Sequence, residues 1–388
     1  MYKSGTVLLL LLLISSVYVL AQQRISGIVV EKNTGTPVVF ATVQVKNQKS
    51  TLTNENGEFD LTVPSLPVSL LITHLNYAGG SFEVKTANEQ LKIVLDPQVM
   101  TLKEVTVGNP ATAIMQDAAD KALKTYNKPN LGKAFLRQIA YEGDEPVYLN
   151  EIWLNAAWKP YGLIGWHPTE ARHLQGKKGI SYTNTSFFSF IFSGYLANSF
   201  HKKPLLKKVD SLYTFKLAGT YLQDGEEIAK IICTPKRALK EKRFEGAYYV
   251  NTVTNNVLKI EGVIKGMFFK SNGPVSIKNK ETAFIAQYRL NKQGDNVLDY
   301  SVFNTSNRLK MMGFGVQNTD LYSTLYMIDD DTIDQSNLEE VSLKINDSNL
   351  VKAMTYNEDF WKKNPGIKRT AKEQAAIEIL EKNTTLRK

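Results

Sequence analysis

His167-Pro168-Thr169-Glu170 sets an imidazole and a carboxylate three positions apart, and His173 follows shortly after. A His-x-x-Glu pair with a further histidine is raw material for hydrolytic zinc, which needs three protein ligands and an open position for water. The supply runs out there. His201 is the only later histidine, and only four histidines occur in 388 residues. A surface loop rich in Trp, Pro and His is the preferred reading of this stretch. Asp329-Asp330-Asp331 superficially resembles a calcium loop, but it lacks the glycine and the distal glutamate at loop spacing, so a solvated turn is expected. Cys233 sits in the apolar run Ile231-Ile232-Cys233 and reads as a small buried hydrophobe. A nucleophile elbow, a phosphate-binding glycine loop and a histidine-bearing triad signature are all missing. The expectation is therefore a protein that is not an enzyme, with no catalytic residue, no cofactor and no metal ligand.

Compartment and charge narrow the chemistry further. Lys3, the apolar run Val7 to Ile14 and the segment Val19-Leu20-Ala21 have the order of a secretory signal peptide over residues 1–21. The run is too short to span a bilayer, and Gln22-Gln23-Arg24 follows at once. No other stretch is apolar enough for a transmembrane helix. A lone cysteine cannot form an internal disulfide, so the cores alone must stabilise an exported chain. The formal charge of +9 is concentrated in two clusters. One is Lys202, Lys203, Lys207 and Lys208; the other is Lys236, Arg237, Lys240, Lys242 and Arg243. They fit peripheral contact with an anionic membrane face or an acidic polymer, or simply solvated loops, and the loops are preferred. Nucleic acid is not expected as a partner outside the cytoplasm.

The elements behind these residues are mostly strands. Residues 24–100 alternate short apolar-patterned runs with turns. Ile25 to Val30 and Val39 to Val45 read as strands, Asn54-Glu55-Asn56-Gly57 as a tight hairpin turn, and Phe59, Leu61 and Val63 as an alternating strand. Leu70 to His74 follows, Gly79-Gly80 turns the chain, and Leu91 to Leu95 closes an antiparallel sandwich. Gly27, Gly35-Thr36-Pro37, Ala41-Thr42-Val43, Thr53, Asn56-Gly57, Phe59 and Leu61 together resemble the pattern of the carboxypeptidase regulatory-like family. The resemblance implies a seven-stranded, transthyretin-like sandwich acting as a binding or spacer module. Such modules extend many Gram-negative outer-membrane receptors and envelope proteins, and Leu102 to Val107 looks like the segment that follows them. The remaining chain is too short for a plug and a large receptor barrel. The metallopeptidases that lend the family its name carry the catalytic domain before the sandwich and the second histidine ligand far downstream. Neither holds here, which weighs further against zinc.

A linker over 101–109 leads to a helix opened by Asn109-Pro110, with Ile114, Met115, Ala118, Ala119, Ala122, Leu123 and Tyr126 as its packing stripe. Ala134 to Tyr141 and Val147 to Trp158 are strands around Gly143-Asp144, and residues 159–210 read as irregular. Phe187, Phe188, Phe190, Phe192, Tyr195 and Phe200 bunch within that stretch, as core or as a ligand-lining or membrane-touching patch, with core preferred. Further strands turn at Asp224-Gly225, Asn255-Asn256 and Gly294-Asp295, and Leu321 to Ile328 comes last. Long antiparallel strands with tight turns make a large curved sheet. Gly246 to Asn251 with Leu258 to Glu261 loosely resembles a hairpin of lipoprotein-carrier-like envelope domains, in which a curved sheet and a helix hold acyl chains. Thr370 to Lys388 reads as a helix with Ala371, Ala375, Ile377, Ile379 and Leu380 apolar. The fold class is mainly β with some α: a sandwich over 24–100, an α+β domain over 110–345 and a helical tail over 346–388. Three functions remain. The first is a non-enzymatic exported protein of the periplasm or outer membrane that meets an outer-membrane protein, a glycan or a lipid. The second is a periplasmic carrier of lipid or another hydrophobic ligand. The third, least favoured, is a zinc-dependent hydrolase.

Overall fold

The computed structural model describes residues 23–45, 50–87, 90–101, 110–125, 128–176, 182–200, 202–237, 239, 242–267, 275–311, 315–329, 333–364 and 366–383. Residues 1–21, the segment Leu102 to Val107, Asn109, Tyr126, His201, Lys240, Asp330, Asp331 and the last five residues lie outside the described residues. The chain divides into two compact units, residues 1–74 with 79–96, and residues 75–78 with 97–388.

The first unit is built from β1 (Gln23–Glu31), β2 (Thr42–Val45), β3 (Ser50–Leu52), β4 (Glu58–Val63), β5 (Val68–His74), β6 (Tyr77–Val84) and β7 (Leu91–Leu95). They form a three-stranded sheet in the order β4-β1-β7 and a four-stranded sheet in the order β3-β2-β5-β6. The alternation of β4 buries Phe59, Leu61 and Val63 on one face, as period two demands. Three local expectations change. β1 and β7 pair in parallel, so the sandwich is not wholly antiparallel. Asn54 to Gly57 does not close a hairpin. β3 pairs with β2 whereas β4 pairs with β1, so the turn carries the chain from one sheet to the other. Gly79 and Gly80 lie inside β6, an edge strand, and the reversal falls at Leu75-Asn76. Turn chemistry fixes a local reversal, not the strand that the chain pairs with next.

The second unit opens with α1 (Pro110–Thr125), which buries Ala111, Met115, Ala118, Ala119 and Ala122. β8 (Asn130–Glu142), β9 (Glu145–Lys159) and β10 (Gly162–Gln175) follow, then α2 (Thr185–Phe192). The meander comprises β11 (Tyr213–Gln223), β12 (Glu226–Pro235), β13 (Arg243–Asn251), β14 (Val257–Lys265), β15 (Val275–Leu290), β16 (Asn296–Met311) and β17 (Gly315–Asp329). The short β18 (Glu339–Glu340) precedes α3 (Asp347–Lys352), α4 (Glu358–Lys363) and α5 (Ala371–Asn383). Eleven strands form one antiparallel sheet in the order β11-β12-β13-β14-β15-β16-β17-β8-β9-β10-β18. Residues 159–210 are thus not irregular throughout, since they contain β10 and α2.

The sheet curls. β9 and β15 stand four places apart, roughly 19 Å in a flat sheet. Yet the rings of Trp158 on β9 and Tyr288 on β15 approach to 6.0 Å between centroids. The face that carries them is concave, and it holds one continuous apolar core that includes α1 and the α2 aromatics. On the convex face, α5 lays Ala376, Ile377 and Leu380 on Ile139, Tyr141, Leu149 and Leu174. Its buried stripe differs from the sequence reading, for Ala371, Ala375 and Ile379 are exposed.

Candidate functional site: an apolar cavity under helix α2

The motif residues of the first unit hold the sandwich together. Gly27 faces Phe59 across the β1–β4 pair, and a Cβ at Gly27 would lie 2.6 Å from the Phe59 ring. Gly57 has φ +72°, and a Cβ there would come within 2.5 Å of the Val29 carbonyl oxygen. Thr53 is fully buried. Its Oγ1 donates to the Val38 carbonyl at 2.7 Å and accepts the Ala41 N–H at 2.8 Å. Asn54 Oδ1 accepts the N–H groups of Asn56 and Glu58, both at 2.9 Å. These side chains have their hydrogen-bonding capacity turned inward.

His167, Glu170 and His173 lie on β10, in a strand and not in the surface loop expected. The strand pairs with β9 along its whole length, and buried Trp166 packs its ring 5.2 Å from that of Phe190. Register breaks between Pro168 and Glu170. Beyond that break Glu170 accepts from Asn357, next to α4 on the convex side, while His173 meets the Tyr148 ring on the concave side at 5.4 Å. A strand throws successive side chains to opposite faces, so Glu170 and His173 do not converge. No group of three or more His, Cys, Asp or Glu side chains that could hold a metal ion occurs among the described residues. Burial holds His173 down at about 4, helped by nearby Lys352 and opposed by the Gln175 side chain. Cys233 is 1% exposed, and burial pushes its thiol up.

The aromatic bunch divides between core and cavity. Phe190 is core, while Phe188 and Phe192 help enclose an apolar cavity of about 200 Å³ between α2 and strands β15, β16 and β17. Met267, Phe303, Leu309 and Leu321 complete its apolar wall. Thr183, Thr185, Thr282, Thr305 and Thr319 add methyl-bearing hydroxyls. Those hydroxyls are largely satisfied elsewhere: Thr282 and Thr305 bond each other at 2.9 Å, and Thr185 donates to Gln138 at 2.8 Å. The Tyr182 hydroxyl is buried at the wall without a hydrogen bond of ordinary geometry. The cavity opens to solvent where Thr183 is exposed and Phe188 and Asn307 are half-buried. A mostly apolar concave wall with an open side is the form of a site for an apolar guest.

Two distant residues fix the roof. Asp347 accepts the N–H groups of Asn184 at 2.6 Å and Ser186 at 2.8 Å, which sets a carboxylate at the positive end of α2. At the other end the fully buried Lys203 donates to the carbonyls of Phe192, at 3.0 Å, and Gly194. Its ammonium lies 4.6 Å from the centre of the Phe284 ring. Burial holds this lysine well below its ordinary value. Gln138 adds bonds to the Thr185 carbonyl at 3.0 Å and to Ser189 Oγ at 2.9 Å. Sequence reasoning missed Asp347 and Lys203 as supports, because each acts across a gap that no local pattern spans.

The convex face holds the opposite arrangement. Glu151 is wholly buried on β9 and meets Arg137 at 2.8 Å, Arg369 at 2.9 Å and Arg172 at 3.6 Å. Burial would raise its carboxyl, but the three guanidinium groups outweigh burial and hold it at about 2. Arg137 also donates to the Ile367 carbonyl at 2.8 Å, and Arg172 reaches Glu381 on α5 at 2.5 Å.

Residues 25–107 match the family model of the CarboxypepD_reg-like domain, in agreement with the resemblance of Gly27, Thr53, Gly57 and Phe59. No curated protein matches the chain. Among solved structures, a DUF1329 family protein from Desulfovibrio piger is 14% identical, with a TM-score of 0.25, over 63% of this chain and 98% of its own. A LolA superfamily protein from Nitrosomonas europaea is 13% identical, with a TM-score of 0.21, over 56% of this chain and 94% of its own. Overlaps this weak carry no argument about the second unit. Among the described residues no helix is long and apolar enough to cross a membrane, which leaves membrane-crossing strands untouched.

Proposed function

We propose that this is a non-catalytic protein of the cell envelope, in which the CarboxypepD_reg-like sandwich is a binding or spacer module and the second unit holds a hydrophobic ligand. The observation that carries the reading is the cavity of about 200 Å³ under α2. Its wall is apolar, and its threonine hydroxyls are largely spent on other protein groups. Filling such a space with hydrocarbon removes apolar surface from water, at ~25 cal/mol per Å², and most of the wall has no polar group to desolvate. A preformed pocket with few polar groups is the usual form of a small-molecule site. The signal-peptide reading of residues 1–21 supports export. Between the two non-enzymatic readings of the sequence, the cavity favours the hydrophobic-ligand carrier.

The test is a titration of the full chain with 1-aminoanthracene, a neutral probe whose fluorescence rises in apolar surroundings. Saturable binding of one probe per chain is expected, with at least a ten-fold loss in Leu309→Trp, whose indole would occupy the cavity. Absence of saturable binding, or equal binding by the variant, would overturn the reading.

A further inference from the structure

Lys202 of one basic cluster meets Lys242 and Arg243 of the other, about 40 positions away in sequence. The Lys202 N–H donates to the Lys242 carbonyl at 3.2 Å, and Lys202 bridges to Arg243. The Lys242 ammonium rests 4.7 Å from the centre of the Phe200 ring. That ring stands edge-on to Phe188, a wall residue, at 5.7 Å. From the other side, the Lys242 N–H donates to the carbonyl of Gly266, whose neighbour Met267 is also in the wall. Phe200 thus lies between the Lys242 ammonium and the wall residue Phe188, and Gly266 connects the Lys242 backbone to Met267, so Lys242 stands behind the wall on the side of half-buried Phe188.

Among the described residues, Glu245 beside this corner is already committed, since it pairs with Arg243 at 3.4 Å and with Lys265; Glu241 lies outside the described residues. Neither Lys202 nor Lys242 has an ion pair among the described residues. Lys202 is exposed and Lys242 half-buried, so both ammonium groups can meet an incoming anion. An aromatic ring under an ammonium holds it in place and leaves its outward N–H donors available.

We infer that the ligand is an anionic amphiphile, whose hydrocarbon part fills the cavity and whose carboxylate or phosphate head is held by Lys202 and Lys242. The inference rests on the cavity reading above and adds the class of head group. A neutral lipid would gain the same apolar burial but nothing from this corner. An anion gains one or two partly exposed ion pairs.

Three ten-carbon amphiphiles separate the possibilities when each displaces 1-aminoanthracene from the full chain: decanoate, decyl phosphate and 1-decanol. At least one anion is expected to bind about five-fold tighter than 1-decanol, the scale of one to two exposed ion pairs. The tighter of the two anions assigns the head as carboxylate, from a free fatty acid, or phosphate, from a phospholipid. In a Lys202→Gln/Lys242→Gln double variant the preference is expected to fall below two-fold with 1-decanol binding unchanged. Salt should erode the preference in the wild type and not in the variant. Equal binding of all three amphiphiles would overturn the head-group inference and leave the cavity reading intact, as would a preference that survives the double variant. Failure of all three to displace the probe would overturn both.

Discussion

The two faces of one curled sheet dispose of their polar and apolar groups in opposite ways. On the convex side of β8–β10, a fully buried carboxylate, Glu151, is enclosed by three guanidinium groups, two of them also tied to the C-terminal segment. Under α2, on the concave side of β15–β17, the protein leaves about 200 Å³ of apolar space unfilled. The convex cluster has more titratable groups than any other part of the chain described above, yet its capacity is spent on itself. It fastens residues 367–381 to the sheet. The cavity has almost no chemistry of its own and is where a guest can enter. Buried charge that is already saturated marks structure, whereas unfilled apolar volume with an open side marks a site.

The largest expected effect breaks the convex half of this contrast. Glu151→Ala leaves three guanidinium groups facing one another and should cost about 3–5 kcal/mol of stability, read from urea or guanidinium unfolding. Refolded protein should still bind 1-aminoanthracene, because the cavity lies on the other face. A cost under about 1 kcal/mol would mean that the cluster is solvated and the contrast false.

Leu309→Trp acts on the concave half alone. Its free energy of unfolding should stay within about 1 kcal/mol of wild type, since the indole enters existing space, while probe binding falls at least ten-fold. A large loss of stability would show that the cavity is smaller in solution than its wall implies.

Acid sharpens the comparison next. His173 lies deep on the concave side with its pKa lowered from 6.5 to about 4, so the folded state binds fewer protons than the unfolded state between those values. Stability from this residue is complete above pH 6.5 and is lost as pH falls towards 4. Glu151, lowered from 4.5 to about 2, has the same sign in a lower window: its contribution is present above 4.5 and lost as pH falls towards 2. The unfolding midpoint should therefore drop in two stages on acidification, and His173→Phe should flatten only the upper one. An unchanged upper stage in that variant would place the titration elsewhere. The smallest effect is a control: Ile379, 43% exposed on α5, should accept Glu with a change below about 0.5 kcal/mol.

Much of the architecture was legible because it rests on local periodicity. The alternation in Phe59, Leu61 and Val63, the Gly143-Asp144 and Asp224-Gly225 turns, and the Ala118, Ala119 and Ala122 stripe each act within one element. The legibility stops where the decisive partner is remote. Asn54 to Gly57 has the residues of a tight turn, but the identity of the next paired strand depends on β1. Thr185 to Phe192 is short and crowded with the aromatics Phe187, Phe188, Phe190 and Phe192, which masks helical periodicity, and its ends are held by Asp347 and Lys203. The cavity was hidden for the same reason. Phe188, Met267 and the pair Phe303 and Leu309 belong to three separate segments, and only the curl of the sheet brings them round one space. Glu151 gave no sign of its importance, since a carboxylate in a strand reads as a solvated position until its three arginines are assembled around it.

Native mass spectrometry of the protein recovered from the cells that make it, with no amphiphile added, tests the occupied cavity most directly. The account predicts a wild-type species heavier than the polypeptide by one anionic amphiphile, and a Leu309→Trp species without that increment. Bare polypeptide mass for both proteins, persisting after decanoate is supplied in excess, would contradict it.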